Sequence, residues 1–132
     1  DLGPEDITQV VTTDEITAAR EEVQDVHVSD VVKNYLLSIV TATRDASEIE
    51  YGASTRGSLA LLNASKACAA IQDREYVTPE DVRSLAIIVL PHRLVLTTEA
   101  EMSERPVADI LDDLIKQVPV QEADSTELTA PP

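Results

Sequence analysis

Arg56 is the residue whose type and position most suggest chemistry. The segment Gly52-Ala53-Ser54-Thr55-Arg56-Gly57 leads into an Ala/Leu-rich run that begins Ser58-Leu59-Ala60-Leu61-Leu62. Ser54 suits a helix N-cap, because its hydroxyl can accept a backbone N–H from the first turn. Thr55 and Arg56 then occupy the first helical positions. The macrodipole is positive there, and a cation is disfavoured by about 0.3–1 kcal/mol. Local rules tend to break at functional positions. A guanidinium among helix-start N–H groups is accounted for if an anion is received there, phosphate first among them. A solvated arginine, or one in a surface ion pair, fits the same spacing, so the spacing alone leaves both readings open.

No other constellation carries chemistry. His27 and His92 are the only histidines, and neither has the Cys/His spacing of a zinc site. No acidic loop follows the calcium-binding pattern. The pairs Glu21/Glu22 and Asp112/Asp113 fall on polar helix faces, where solvation explains them better than paired-carboxylate catalysis. Serines without a histidine–acid arrangement make no nucleophile. No Gly-x-x-x-x-Gly-Lys-Ser/Thr occurs, so the chain has no phosphate-cradling loop of its own.

The 132 residues suffice for one domain with a real core, since 43% are hydrophobic. That core has no Phe or Trp and only Tyr35, Tyr51 and Tyr76 as aromatics, so Leu, Ile, Val and Ala must fill it. Such a composition favours helices, and three glycines are too few for the turns of a small all-β domain. With 25 acidic against 10 basic residues the net charge is −15. That charge repels nucleic-acid backbones and anionic lipid, and no aromatic platform offers stacking, so neither nucleic acid nor membrane is an expected partner. The acidity reads as a solvated surface. Cys68 stands alone in an apolar helical run, reads as a small buried hydrophobe, and fits a reducing, cytoplasmic location. No apolar run approaches the roughly 20 residues of a membrane helix. The start Asp1-Leu2-Gly3-Pro4-Glu5 has neither the basic nor the apolar part of a signal peptide and reads as continuing from something upstream.

Five helices are expected. Thr12 with Glu15 offers a capping box for a first helix near 13–25, with Ile16, Ala19 and Val23 on one face. Ser29-Asp30 opens a second, about 30–44, along Val32, Tyr35, Leu36, Ile39, Val40 and Thr43. Residues 45–53 read as a loop. The third, about 55–72, is apolar nearly all round and belongs in the middle of a bundle. Thr78-Pro79-Glu80-Asp81 starts a fourth that Pro91 closes, and Val107, Ile110, Leu111, Leu114, Ile115 and Val118 mark a fifth, about 106–117. The extended pieces Val26-His27-Val28 and Tyr76-Val77, each before a hydroxyl N-cap, are expected to pair as a minimal β-bridge. His92 to Leu96 reads as extended and Thr97 to Arg105 as a polar connection. The division is a linker over 1–12, a helical domain over 13–118 and a disordered tail over 119–132.

Three stretches in register resemble a known family. Gly52 to Leu62, then Asp73-Arg74-Glu75-Tyr76-Val77-Thr78-Pro79-Glu80-Asp81-Val82, then Leu90-Pro91-His92-Arg93-Leu94-Val95-Leu96 are similar to the C-terminal lid of MoxR-type AAA+ ATPases. That lid is related to the lid of the magnesium-chelatase ATPase subunit. The resemblance spans residues 10 to 118 and implies a mainly α, five-helix lid bundle. It implies that Arg56 is the sensor-2 arginine acting on the phosphates of ATP or ADP bound with Mg²⁺ by an upstream AAA+ core domain, with Ser54 and Thr55 beside it at the nucleotide. Such proteins form hexameric rings and act as chaperone-like maturation factors, often with a von Willebrand A-domain partner. The family often has Pro at the position of Thr55 and Ala at that of Gly57. His92 and Arg93 match its His-Arg pair, read as bracing the strand after the fourth helix. By itself this chain is expected not to hydrolyse ATP. A histone-fold-like, free-standing acidic interaction module is the alternative the helix pattern allows.

Overall fold

A computed structural model of the chain describes residues 1–121. Thr12, Ser29, Ser54, Thr78 and Thr97 each accept a backbone N–H three residues on, and each opens a helix. These caps satisfy first-turn donors that have no partner within the helix. The elements are α1 (Thr13–Gln24), α2 (Asp30–Asp45), β1 (Ile49–Tyr51), α3 (Thr55–Ile71), α4 (Pro79–Val89), β2 (Val95–Leu96), α5 (Thr98–Met102) and α6 (Val107–Lys116).

All five expected helices are present and the architecture is mainly α. Packing sets their order in space: α3 lies against α1, α2 and α4, while α6 packs on α2 and α4. Ile39, Leu61, Leu90, Ile110, Leu111 and Ile115 are the largest side chains fully withdrawn from solvent, so the core lies where α2, α3, α4 and α6 meet. The bridge is also formed. His27 pairs with Tyr76 in parallel, its N–H donating to Glu75 O at 2.8 Å and its carbonyl accepting from Val77 at 2.9 Å.

Three local expectations are corrected. Residues 45–53 are not simply a loop: Ile49–Tyr51 pairs antiparallel with Val95–Leu96, irregular in register between Ile49 and Tyr51. Strands this short have no alternation to read, and their pairing is decided far along the chain. The polar connection after β2 holds α5, nucleated by the Thr97 cap. Pro91–Arg93 forms a 3₁₀ turn instead of extended chain, and extension starts at Leu94.

The expected central, all-round burial of α3 also needs refinement. Only Gly57, Leu61, Ser65 and Ala69 are buried, a stripe at four-residue steps, while Leu59 is 55% exposed and Ile71 86%. Alanines on the flanks raise the apolar content of a helix without demanding deep burial. Of the expected tail over 119–132, residues 122–132 lie outside the described residues.

Candidate functional site

Ser54 caps α3 as its hydroxyl chemistry requires, accepting the Gly57 N–H at 3.3 Å. Thr55 and Arg56 therefore stand at the first two helical positions, both exposed. Their N–H groups have no acceptor within the helix. The Ser54 hydroxyl oxygen is already engaged as the cap, leaving its proton as the group free to donate.

The loop that carries this turn is clamped from α2. Thr43 is completely buried, and its hydroxyl donates to Val40 O at 2.6 Å while accepting the Ala53 N–H at 3.0 Å. Arg44 Nε donates to Ala53 O at 2.9 Å. Both backbone groups of Ala53 are thus held by α2 side chains, one residue before the cap. Gly52 allows this: a Cβ there would fall 2.6 Å from Arg44 N and 2.7 Å from its Cα. Sequence reasoning missed Thr43, Arg44 and Gly52 as parts of the site. One signal was available, since Gly52 is one of three glycines.

Arg74, Arg83, Arg105 and Lys116 each have a carboxylate partner, whereas Arg56, like Arg20 and Lys33, has no ion pair or side-chain hydrogen bond among the described residues. This removes the surface-pair reading and leaves the anion-receiving and the solvated arginine that the spacing allowed. Thr55 also borders an apolar groove of about 320 Å³ whose walls include Leu36, Leu37, Leu59 and Leu62.

Gly57 is buried where α3 meets the turn after α4. A Cβ added there would sit 3.4 Å from Ala53 Cβ, 3.5 Å from Arg93 Cδ and 3.8 Å from Leu90 Cδ2, all ordinary contact distances. Gly57→Ala should therefore stabilise the domain by about 0.5–1 kcal/mol through reduced unfolded-chain entropy. A lowered urea midpoint would contradict that.

A second charged cluster, at the other end of α3, is built for stability. Arg74 Nη1 and Nη2 donate to the two Asp81 oxygens at 2.7 and 2.6 Å, and Nη1 also reaches Tyr76 O at 3.1 Å. Asp81, 5% exposed, accepts the Thr78 N–H at 2.8 Å in a capping box. The Arg74 hydrogen bonds hold the Asp81 carboxyl below the usual range. Cys68, only partly buried, lies 3.9 Å from Asp81 Oδ1. Burial, then the Asp81 charge, pushes its thiol upward, away from reactivity. Among the described residues no three His, Cys, Asp or Glu side chains are grouped to hold a metal ion, and no helix is long and apolar enough to cross a membrane. His92 is exposed.

The family model of the AAA lid domain matches residues 41–114, which include the clamp, the arginine turn and the Arg74–Asp81 pair. The chain belongs to the AAA lid domain family. Within it the chain is of the MoxR type, judged by its relatives. It is 35% identical to the uncharacterized protein YeaC of Bacillus subtilis, over 89% of this chain and 37% of that one. It is 28% identical to the chaperone MoxR1 of Mycobacterium tuberculosis, over 89% of this chain and 33% of the other. With protein MoxR of Paracoccus denitrificans the identity is 30%, over 74% and 33% respectively. A crystal structure from Cytophaga hutchinsonii, described as a candidate ATPase, superposes with a TM-score of 0.82 at 31% identity, covering 89% of this chain and 38% of that one. The chain thus spans about a third of the length of the curated relatives it matches. The likeness is to a lid and not to a histone-fold-like module.

Proposed function

We propose that this domain is the nucleotide-sensing lid of a ring-forming, MoxR-type AAA+ ATPase, and that Arg56 is its sensor-2 arginine. The observation that carries the proposal is an exposed guanidinium without a counter-charge, on the first turn of a capped helix, in a chain of net charge −15. Its contribution is electrostatic: a fixed cation and the N–H groups of Thr55 and Arg56 meet phosphate charge, while Ser54 keeps the turn in place. The phosphate-cradling loop and the residues that organise Mg²⁺ belong to a preceding AAA+ core domain in this reading. The groove beside Thr55 offers that core an apolar seat. A guanidinium mounted on a lid gains interactions when the ATP terminal phosphate is present, so it couples lid angle to nucleotide state. Hexameric assembly, a cytoplasmic chaperone-like role in protein maturation and a von Willebrand A-domain partner complete the proposal.

The test is Arg56→Ala in the full-length protein. ATP turnover should fall about tenfold to a hundredfold, the range expected when charge-assisted hydrogen bonds are lost. Turnover and nucleotide affinity equal to those of the unaltered protein would refute the sensor role.

A further inference from the structure

We infer that the apolar groove between α2 and α3 receives the chain's own segment 122–132, with Leu128 in the groove and Glu127 beside Lys33. The groove holds about 320 Å³, and Leu36, Leu37, Leu59 and Leu62 form its walls, with Lys33 and Ser58 completing the lining. Leu37 and Leu59 are exposed. Leucines scattered singly over a surface need no partner, but leucines that share one groove make an apolar patch that asks for one.

The course of the chain after α6 points to the occupant. Gln121 lies in a shallow trough on the outer face of α2, with Asn34, Leu37, Ser38 and Thr41. Leu37 lines both the trough and the groove, so the two adjoin around the side of α2. Half the circumference of a helix is about 16 Å, and the seven residues from Gln121 to Leu128 reach about 23 Å. Composition selects the same segment. Residues 122–132 carry Glu122, Asp124 and Glu127 with no basic residue, and Leu128 is their only large apolar side chain. Such an acidic segment is repelled by most of the surface of a chain with net charge −15. The groove is an exception, because Lys33 is exposed and has no carboxylate partner among the described residues. One apolar side chain next to one acid thus meets one apolar groove next to one unpaired cation. The consequence for regulation rests on the lid reading above: segment 122–132 and the AAA+ core contend for one seat, so a lid closed on an ATP-loaded core expels the segment.

The experiment combines Ser58→Cys with Thr129→Cys in the full-length protein, adds a mild oxidant and locates the disulfide by peptide mass spectrometry. A bridge between positions 58 and 129 of one chain should form without nucleotide. It should form about tenfold more slowly when Leu128→Asp puts a charge in the groove, and more slowly in Lys33→Glu. Mg²⁺ with a non-hydrolysable ATP analogue should slow it as well, because the core then takes the seat. No bridge, or one that Leu128→Asp leaves at full rate, overturns the inference. A bridge joining two chains when the two single variants are mixed gives the groove to a second copy and also overturns it. A rate that ignores the analogue overturns the competition with the core. The nucleotide-free bridge does not involve Arg56, so its absence leaves the sensor reading standing. Unchanged nucleotide affinity in Arg56→Ala sinks that reading, while the bridge still decides the docking.

Discussion

Asp81→Ala is expected to lower stability by about 2–3 kcal/mol, from the loss of charge-assisted hydrogen bonds to a partly exposed arginine and of a helix cap. In a domain of this size that corresponds to a fall in Tm of roughly 10 °C. Two losses combine. Arg74, whose side chain is 22% exposed, is left without its bidentate partner, and the Thr78 N–H loses the carboxylate that completes the α4 capping box. The pH dependence follows in sign. The Asp81 pKa is depressed in the folded state, first by the Arg74 hydrogen bonds. Its contribution is therefore complete above the unfolded carboxyl value of about 3.9 and is lost as pH falls through the lower folded value. The stability gap between the unaltered protein and Asp81→Ala should be constant from pH 7 to 5 and shrink below about 4. A double variant lacking both Arg74 and Asp81 side chains should be less destabilised than the sum of the singles. Additive effects in denaturant titrations would show that the pair is not coupled.

Gly52→Ala is the second large effect, opposite in sign to Gly57→Ala five positions on. At Gly52 the new Cβ would meet Arg44 backbone atoms at 2.6 and 2.7 Å, which cannot be relieved by a rotamer change. Overpacking of this kind costs about 1–3 kcal/mol. The strain falls on the segment that Thr43 and Arg44 hold against α2, one step before the Ser54 cap. Arg56 is mounted on that turn, so Gly52→Ala should weaken nucleotide binding in the full-length protein as well as lowering the denaturation midpoint. A stable Gly52→Ala protein would mean that the α2 clamp does not set the position of the arginine turn.

The helices were legible because their signals are local. Thr12, Ser29, Ser54 and Thr78 announce their own helix starts, and the apolar spacing of α2 and α6 matches the faces they bury. The candidate arginine was legible for the same reason: a cation at the positive end of a helix is a conflict between one residue and its neighbours. The bridge between His27 and Tyr76 was readable because the chain repeats the same phrase before α2 and α4. What escaped were the short local pieces, α5 and the turn at Pro91–Arg93, too brief to show a period, and everything that depends on distant chain. Ile49–Tyr51 becomes a strand because Val95–Leu96 arrives beside it, and Gly52 matters because Arg44 lies against it.

From the order of residues alone came the helix boundaries, the mainly α class and the misfit at Arg56, since caps, periodicity and the helix dipole act within a few residues. Only the folded chain decided that Ala53 is held by Thr43 and Arg44, that Asp81 shares its charge with Arg74, and that Arg93 lies against the same turn as Arg56. These contacts join segments whose meeting is set by how the helices pack, and packing is a property of all the buried faces together.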